Sequence, residues 1–354
     1  MVAPISWFDE LRGYVRGDGP LPRNRCCELD GIQVMHPRYY YCPGALRRYY
    51  GQFFFQSIHS CVLNIVKDFQ PDMLLASWAY PDGYATVRLA SELKIPAVVQ
   101  VLGSDVNLLN QYPARSHKTW NTLRSADAVI TVSQDLANKV IAEGVNPQRV
   151  SVVYGGVDTE LFSPGSQQEA QAALNLTDAS PMLLFVGNLV AVKAVGILIS
   201  ACAKLAADFP RLQCHIVGDG PLRKQLQAQA IALSLEKQIC FQGLIEHGQL
   251  PAWYRAADLV VLPSLAEGVP NVLLESIACN RPYVASRTGG IPEVSNHAGC
   301  ILVAPGDPQA LADAIARKLQ DATAPATSDL PMSSWDESGR MLGHALESCC
   351  RTHS

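Results

Sequence analysis

Two glutamates, Glu267 and Glu275, flank the segment EGVPNVLLE. The apolar run LVVLP (259–263) before them predicts a strand, and Pro270 has the fixed φ suited to a first helical turn. Glu267 is therefore expected in a strand-to-helix loop and Glu275 about one turn inside the helix. A loop carboxylate can hold a hydroxylated ligand. A carboxylate one turn into a helix can accept two ribose hydroxyls together. Between them the helix N-terminus offers free N–H groups and partial positive charge to a diphosphate. Taken alone, the same spacing also describes two solvated glutamates around an ordinary helix start.

Other loops of this kind lie nearby. In FVGNLVAVK (185–193), Gly187 follows an apolar run and Lys193 is expected at the start of the next helix, where its charge can neutralise a phosphate. VGDGPLRKQL (217–226) repeats the arrangement with Gly218 and Gly220. In ACNRPYVASRTGGIPEV (278–294), Gly289-Gly290 turns the chain into a further helix start. Singly, each glycine reads as a tight turn and Lys193 as a solvated charge.

The elements that position these loops alternate along all 354 residues. Strands are expected at 73–77, 97–102, 128–133, 150–154, 182–187, 214–218, 259–263 and 283–286. Helices are expected at 45–69, 82–93, 114–125, 135–144, 193–208, 221–234, 271–279, 308–320 and 334–349. Continuous β-branched runs between helical segments predict parallel sheets covered on both faces, hence an α/β protein with two doubly wound, Rossmann-like domains. The join is expected at SPGSQQEAQ (163–171). This gives domains 1–165 and 166–333 and a C-terminal helix, 334–354, packing back on the first domain.

Composition narrows the function. The chain is 48% hydrophobic and 17% charged, as in a globular protein. Its net charge of -4 gives no support for a nucleic-acid partner. The eleven cysteines are scattered without metal-ligand spacing, which favours reduced thiols in the cytoplasm over disulfides or zinc. No apolar run reaches the ~18–20 residues of a membrane span.

Taken in order, VGNLVAVK, VGDGPLR, FQGLI, AADLVVLPS, EGVPNVLLES and GGIPEV resemble the retaining glycosyltransferases of the GT-B fold, glycosyltransferase family four. The resemblance runs from about residue 70 to 348 and is most specific over 181–306. It implies that Glu275 binds the donor ribose and that Glu267, the first acid of an E-x7-E motif, lies by the donor sugar. It implies that Gly268, Val269 and Asn271 present backbone groups to the sugar and diphosphate. Lys193 would stabilise the leaving diphosphate, with Gly187 and Asn188 beside it and Gly218 in the neighbouring loop. Leu244 and Ile245 would line the nucleobase pocket. The catalytic pair is expected to be Glu267 and Lys193.

Some positions depart from the family pattern. Asn188 stands where many members have Arg, Pro270 where many have Gly, Asn280 for a usual Gly, and Leu102 for a usual His. In the first half, SWAYPDGYA, VLGSDVN, ADAVITVS and VVYGGVDTELF also resemble family segments. Asp105 is the first-domain candidate for a sugar or acceptor hydroxyl, with a capping role as its plain alternative. Asp158 and Phe162 read as structural. VAPISWF, near the start, resembles a second or third family strand, so the first domain is expected to lack its first strand-loop-helix unit and to expose apolar surface at an open sheet edge. The aromatic, arginine-bearing stretch 37–55, with Arg38, Arg47 and Arg48, reads as an interfacial surface or a buried helix, and the buried helix is favoured.

The implied reaction moves a sugar from a nucleoside-diphosphate sugar to a hydroxyl of a glycolipid or polysaccharide, with retention. The chain contains no D-x-D, so no metal and no other cofactor is expected. The expected place of work is the cytoplasm, with peripheral contact at the inner membrane face. An alternative is a truncated, inactive nucleotide-sugar-binding protein. A nicotinamide-dependent oxidoreductase fits less well, because Arg223 occupies the third glycine position of G-x-G-x-x-G.

Overall fold

The computed structural model describes residues 1–8, 25–41, 46, 49–109, 113–176, 181–295, 299–321 and 334–353. The chain divides into two compact units. The first comprises Met1–Thr131, Ala137–Val152 and Gly343–Ser354; the second comprises Val132–Leu136 and Val153–Leu342. The division falls near residue 152 rather than at the polar stretch 163–171. There Ser166 instead caps a helix, its hydroxyl accepting from Glu169 N at 3.2 Å.

The first unit opens with short strands: β1 (Ile5–Ser6), β2 (Cys26–Leu29), β3 (Ile32–Met35) and β4 (Arg38–Tyr39). β1 pairs with β4 in parallel, and β2 with β3 as an antiparallel hairpin. There follow α1 (Tyr50–Phe69), β5 (Leu74–Ser77), α2 (Tyr84–Leu93), β6 (Ala97–Val101), α3 (Ser104–Asn107), α4 (Pro113–Ser125), β7 (Ala128–Thr131), α5 (Gln134–Ala142) and β8 (Val150–Val152). Strands β5 to β8 form a parallel sheet in sequence order. VAPISWF yields only the two-residue β1, outside that sheet. Phe54, Phe55, Ile58 and Val62 of α1 are buried against Ala85 and Leu89 of α2. The described part of 37–55 thus supplies a packed aromatic helix face; Arg47 and Arg48 lie outside the described residues.

The second unit contains α6 (Gln167–Ala173), β9 (Met182–Val186), α7 (Val195–Leu205), β10 (Gln213–Val217), α8 (Arg223–Ala232), β11 (Ile239–Gly243), α9 (Leu250–Ala256), β12 (Leu259–Leu262), α10 (Asn271–Ala278), β13 (Tyr283–Ser286), β14 (Cys300–Val303) and α11 (Pro308–Gln320). Its six parallel strands run in the order β11-β10-β9-β12-β13-β14. Every residue of β9, β12 and β13 is buried, which is why their sequences read as unbroken apolar runs. The last helix, α12 (Trp335–His353), ends among residues of the first unit.

This strand order fixes where a ligand can bind. From β9 the chain winds outward through β10 to β11; from β12 it winds the opposite way through β13 to β14. The reversal lies between β9 and β12, and a doubly wound sheet opens a crevice at the carboxyl ends of such a pair.

Among the described residues the ten cysteines are free thiols. No described helix is long and apolar enough to cross a membrane.

One core residue makes stability depend on pH. His215 on β10 is 1% exposed, with Nε2 3.2 Å from Gln213 Oε1 and Nδ1 2.9 Å from Gln242 Nε2. Burial lowers its pKa to about 4. Between about pH 6.5 and 4 the unfolded chain binds a proton here that the folded chain does not. The stabilisation is complete above that window and lost as pH falls through it, with a total of about 3 kcal/mol. Urea midpoints at pH 7.5 and 4.5 should show this loss, and His215→Gln should reduce it.

Candidate active site

The loops after β9 and β12, and the two that follow β10 and β13, meet backbone to backbone. Gly187 N donates to Val217 O at 3.0 Å, and Leu189 N to Asp219 O at 2.9 Å. A Cβ on Gly218 would stand 2.0 Å from Gly187 O, and one on Gly220 would stand 2.7 Å from Leu189 O. On the other side, a Cβ on Gly289 would stand 2.0 Å from Glu267 O, and Gly290 N donates to Gly268 O at 2.9 Å. Leu265 N donates to Val192 O at 2.8 Å, tying the β12 loop to the β9 loop. Gly218 and Gly289, both at positive φ, are thus glycines because no side chain fits between these loops. Gly289→Ala is expected to destabilise the fold by about 4 kcal/mol or more, a magnitude reserved for a direct clash with backbone. Thermal denaturation measures it, and an unchanged midpoint would show that the loops can separate.

This framework brings two of the expected residues into contact. Lys193 Nζ donates to Glu267 Oε1 at 2.6 Å, with both side chains largely buried. Lys193 does not begin the helix as expected. It ends a short turn, Ala191–Lys193, and Ala194 (φ 49°) intervenes before α7.

Helix α10 starts at Asn271, as expected. Pro270 is the N-cap with φ −78° and ψ 123°, and no side chain caps the helix. Asn271 is exposed, and the first turn carries no acidic residue. The N–H groups there keep the electrophilic character of a free helix end. Gly268 is buried, and Val269 packs on the core. Asn280, just beyond the helix, takes φ 55°, the conformation the sequence suggested for it.

Glu275 lies in the second turn of α10 and is 8% exposed. Its Oε2 accepts from Tyr254 Oη at 2.5 Å, and its Oε1 is 3.6 Å from His247 Nε2. Burial, and then the adjacent Glu275 carboxylate, push the Tyr254 hydroxyl well above its ordinary pKa, so it stays a donor. Phe162, 1% exposed, packs edge-on against both His247 and Tyr254. Neither Tyr254 nor His247 is evident from sequence. Tyr254 sits on the apolar face of a seven-residue helix too short to show periodicity, and His247 lies in a polar turn.

Other expectations fare differently. Leu244 is 77% exposed while Ile245 packs on the core. They follow each other at the end of a strand, where successive side chains point apart. Gly187 and exposed Asn188 do stand at the end of β9, beside the Lys193 turn. Asp158 Oδ1 accepts from Glu160 N and Leu161 N, each at 3.0 Å, a turn-closing role. Asp105, 6% exposed, is not free for a sugar hydroxyl. Its Oδ2 accepts from Ala79 N at 3.0 Å, and its Oδ1 accepts from Leu102 N at 3.2 Å and Gly103 N at 2.9 Å. Burial pushes this carboxyl up, and the amides partly offset it. Asp105 is a clamp between the loops after β5 and β6.

Comparison with known proteins agrees with this architecture. Residues 166–329 match the family model for glycosyl transferases group 1, and residues 11–161 match that for glycosyltransferase family 4. TuaC of Bacillus subtilis (strain 168), whose name places it as a glycosyltransferase of teichuronic acid biosynthesis, is 31% identical over 81% of this chain and 71% of its own length. The D-inositol 3-phosphate glycosyltransferase 1 of Catenulispora acidiphila is 36% identical over 59% of this chain. That match spans 53% of the relative, about half its length. Sucrose-phosphate synthase from Thermosynechococcus elongatus superposes with TM-score 0.79 over 92% of this chain and 86% of its own, at 23% identity. Anabaena HepE in complex with UDP and glucose superposes with TM-score 0.76 over 90% and 87%, also at 23% identity. These two likenesses concern the fold. With these family matches and its two sets of parallel strands, the chain belongs to the group 1 glycosyltransferases of the GT-B fold.

Proposed function

We propose that the chain transfers a sugar from a nucleoside-diphosphate sugar to a hydroxyl of a glycolipid or polysaccharide, with retention and without a metal. The observation that carries this reading is the convergence at one strand reversal of the uncapped N-terminus of α10, the Lys193–Glu267 pair and buried Glu275. The diphosphate lies against the first turn of α10, where Asn271 and its neighbours supply N–H groups. Lys193 faces the same anion and adds a full positive charge. Glu275, held by Tyr254, takes the ribose hydroxyls. Glu267, with Gly268 and Val269, faces the sugar.

In the reaction, the bond from the anomeric carbon to the diphosphate breaks, and its electron pair leaves with the diphosphate. The acceptor oxygen bonds the same face of that carbon, and its proton passes to the leaving phosphate. Charge accumulates on the diphosphate in the transition state, so preorganised positive charge there accelerates the step. HepE's complex with UDP and glucose supports a nucleoside-diphosphate donor, and the name of TuaC supports a polysaccharide acceptor. The setting that suits this reading is the cytoplasm, with peripheral contact at the inner membrane face.

Calorimetry with UDP, GDP, ADP and their sugars should show binding of one nucleotide class. Turnover should survive EDTA, and NMR of the product should show the donor's anomeric configuration. Inversion would refute retention, and loss of activity with chelator would refute the metal-free step. Donor binding with no transfer to any acceptor or to water would leave a nucleotide-sugar-binding protein.

A further inference from the structure

In the first unit, Trp78 follows β5 with φ 96° and ψ 130°. This is backbone that a bulky L residue adopts only under strain. The strain is held from three sides. Trp78 N donates to Gln100 O at 2.9 Å, Gly83 N donates to Trp78 O at 2.9 Å, and the next amide, Ala79 N, donates to buried Asp105. Despite this, the side chain is not sunk into the core: Trp78 is 39% exposed.

The same clamp presents a second apolar residue. Asp105 also fixes Leu102, which is 37% exposed just after β6. β5 and β6 are neighbours, with Ser77 paired to Gln100. Asp105 bridges Ala79 N and Leu102 N, so the backbones that carry Trp78 and Leu102 both lie at the carboxyl edge of this sheet, the edge where such sheets bind ligands. A folded chain has no packing reason to strain a tryptophan and leave it in solvent. A flat, rigid indole does suit a pyranose, whose axial C–H bonds make one ring face apolar.

We propose that Trp78, with Asp105 as the positioning residue and Leu102 at the same sheet edge, forms a stacking platform for a sugar ring of the acceptor. This rests on the transfer reading above and narrows its acceptor to a glycan that presents a pyranose face. Specificity for the ring comes from the indole plane, and the hydroxyl pattern is left to surrounding polar groups.

The test uses the full chain and saturation-transfer NMR with methyl β-D-glucopyranoside, methyl β-D-galactopyranoside and methyl N-acetyl-β-D-glucosaminide. At least one glycoside should show saturation concentrated on the ring protons of one face. Trp78→Gly accepts the positive φ without strain and should lower that signal at least five-fold. Trp78→Phe should keep about half of it. UDP affinity, measured by calorimetry, should change by less than two-fold in both variants. An undiminished signal in Trp78→Gly would overturn the platform, as would the absence of glycoside binding in the unmodified protein. Equal loss of UDP and glycoside binding would also overturn it, because the residue would then only support the fold. Binding of glycosides without any nucleoside diphosphate would leave the platform standing and sink the transfer reading.

Discussion

Lys193→Ala is expected to lower kcat by about 10²–10³-fold, the usual effect of removing one preorganised group from a developing oxyanion. Donor affinity should fall much less, because the lysine faces charge that grows as the diphosphate departs. The geometry adds a complication: Lys193 is also the partner of Glu267 at 2.6 Å. Alanine leaves a largely buried carboxylate with one cation fewer, so stability should fall too, by less than the ~3–5 kcal/mol of a fully buried pair. The double variant Lys193→Ala/Glu267→Gln removes that stray charge. If stability recovers while turnover does not, the lysine acts on the reaction. Steady-state kinetics with thermal denaturation separates the two effects, and equal losses in kcat and donor affinity would mean uniform binding.

Glu275→Ala is expected to weaken nucleoside-diphosphate binding by about 1.5–3 kcal/mol, or roughly 10- to 150-fold, the range for hydrogen bonds to a charged group. It should also destabilise the protein by about 1–3 kcal/mol, because the buried Tyr254 hydroxyl would lose its acceptor. Glu275→Gln keeps an oxygen for Tyr254 and the shape of the side chain. It should restore most of the stability and only part of the affinity. Calorimetry of UDP, GDP and ADP against the three forms checks this. If both variants bind as the unmodified protein does, Glu275 is a structural acceptor for Tyr254 and the ribose lies elsewhere.

β9, β12 and β13 were legible because burial on both faces demands unbroken apolar runs. β11 and β14 lie on the edges of the same sheet and are only partly buried; Gln242 and Gly243 interrupt the run of β11, whereas β14, CILV, is an apolar run as long as β13. The β2–β3 hairpin, mostly exposed, gives none. Within the site, Glu267, Lys193 and Glu275 were readable from motif spacing, since local sequence sets their loops and helix. Their partners come from the fold. Tyr254 reaches Glu275 from a separate helix, and Asp105 read equally as a ligand or a cap because nothing in VLGSDVN reveals Ala79 N in the preceding loop.

The interlocked glycine loops have a consequence for how such a protein can change. Gly187, Gly218 and Gly289 register the loops largely through main-chain atoms, joined by the Lys193–Glu267 pair and the Thr288 hydroxyl, and the exposed side chains add nothing to that register. Exposed Asn188 and Leu265 can therefore be exchanged with little effect on the placement of α10. On the proposed reading, substrate preference and structural integrity are encoded in different atoms here. A library randomised at such positions should diversify donor choice while most of its members still fold.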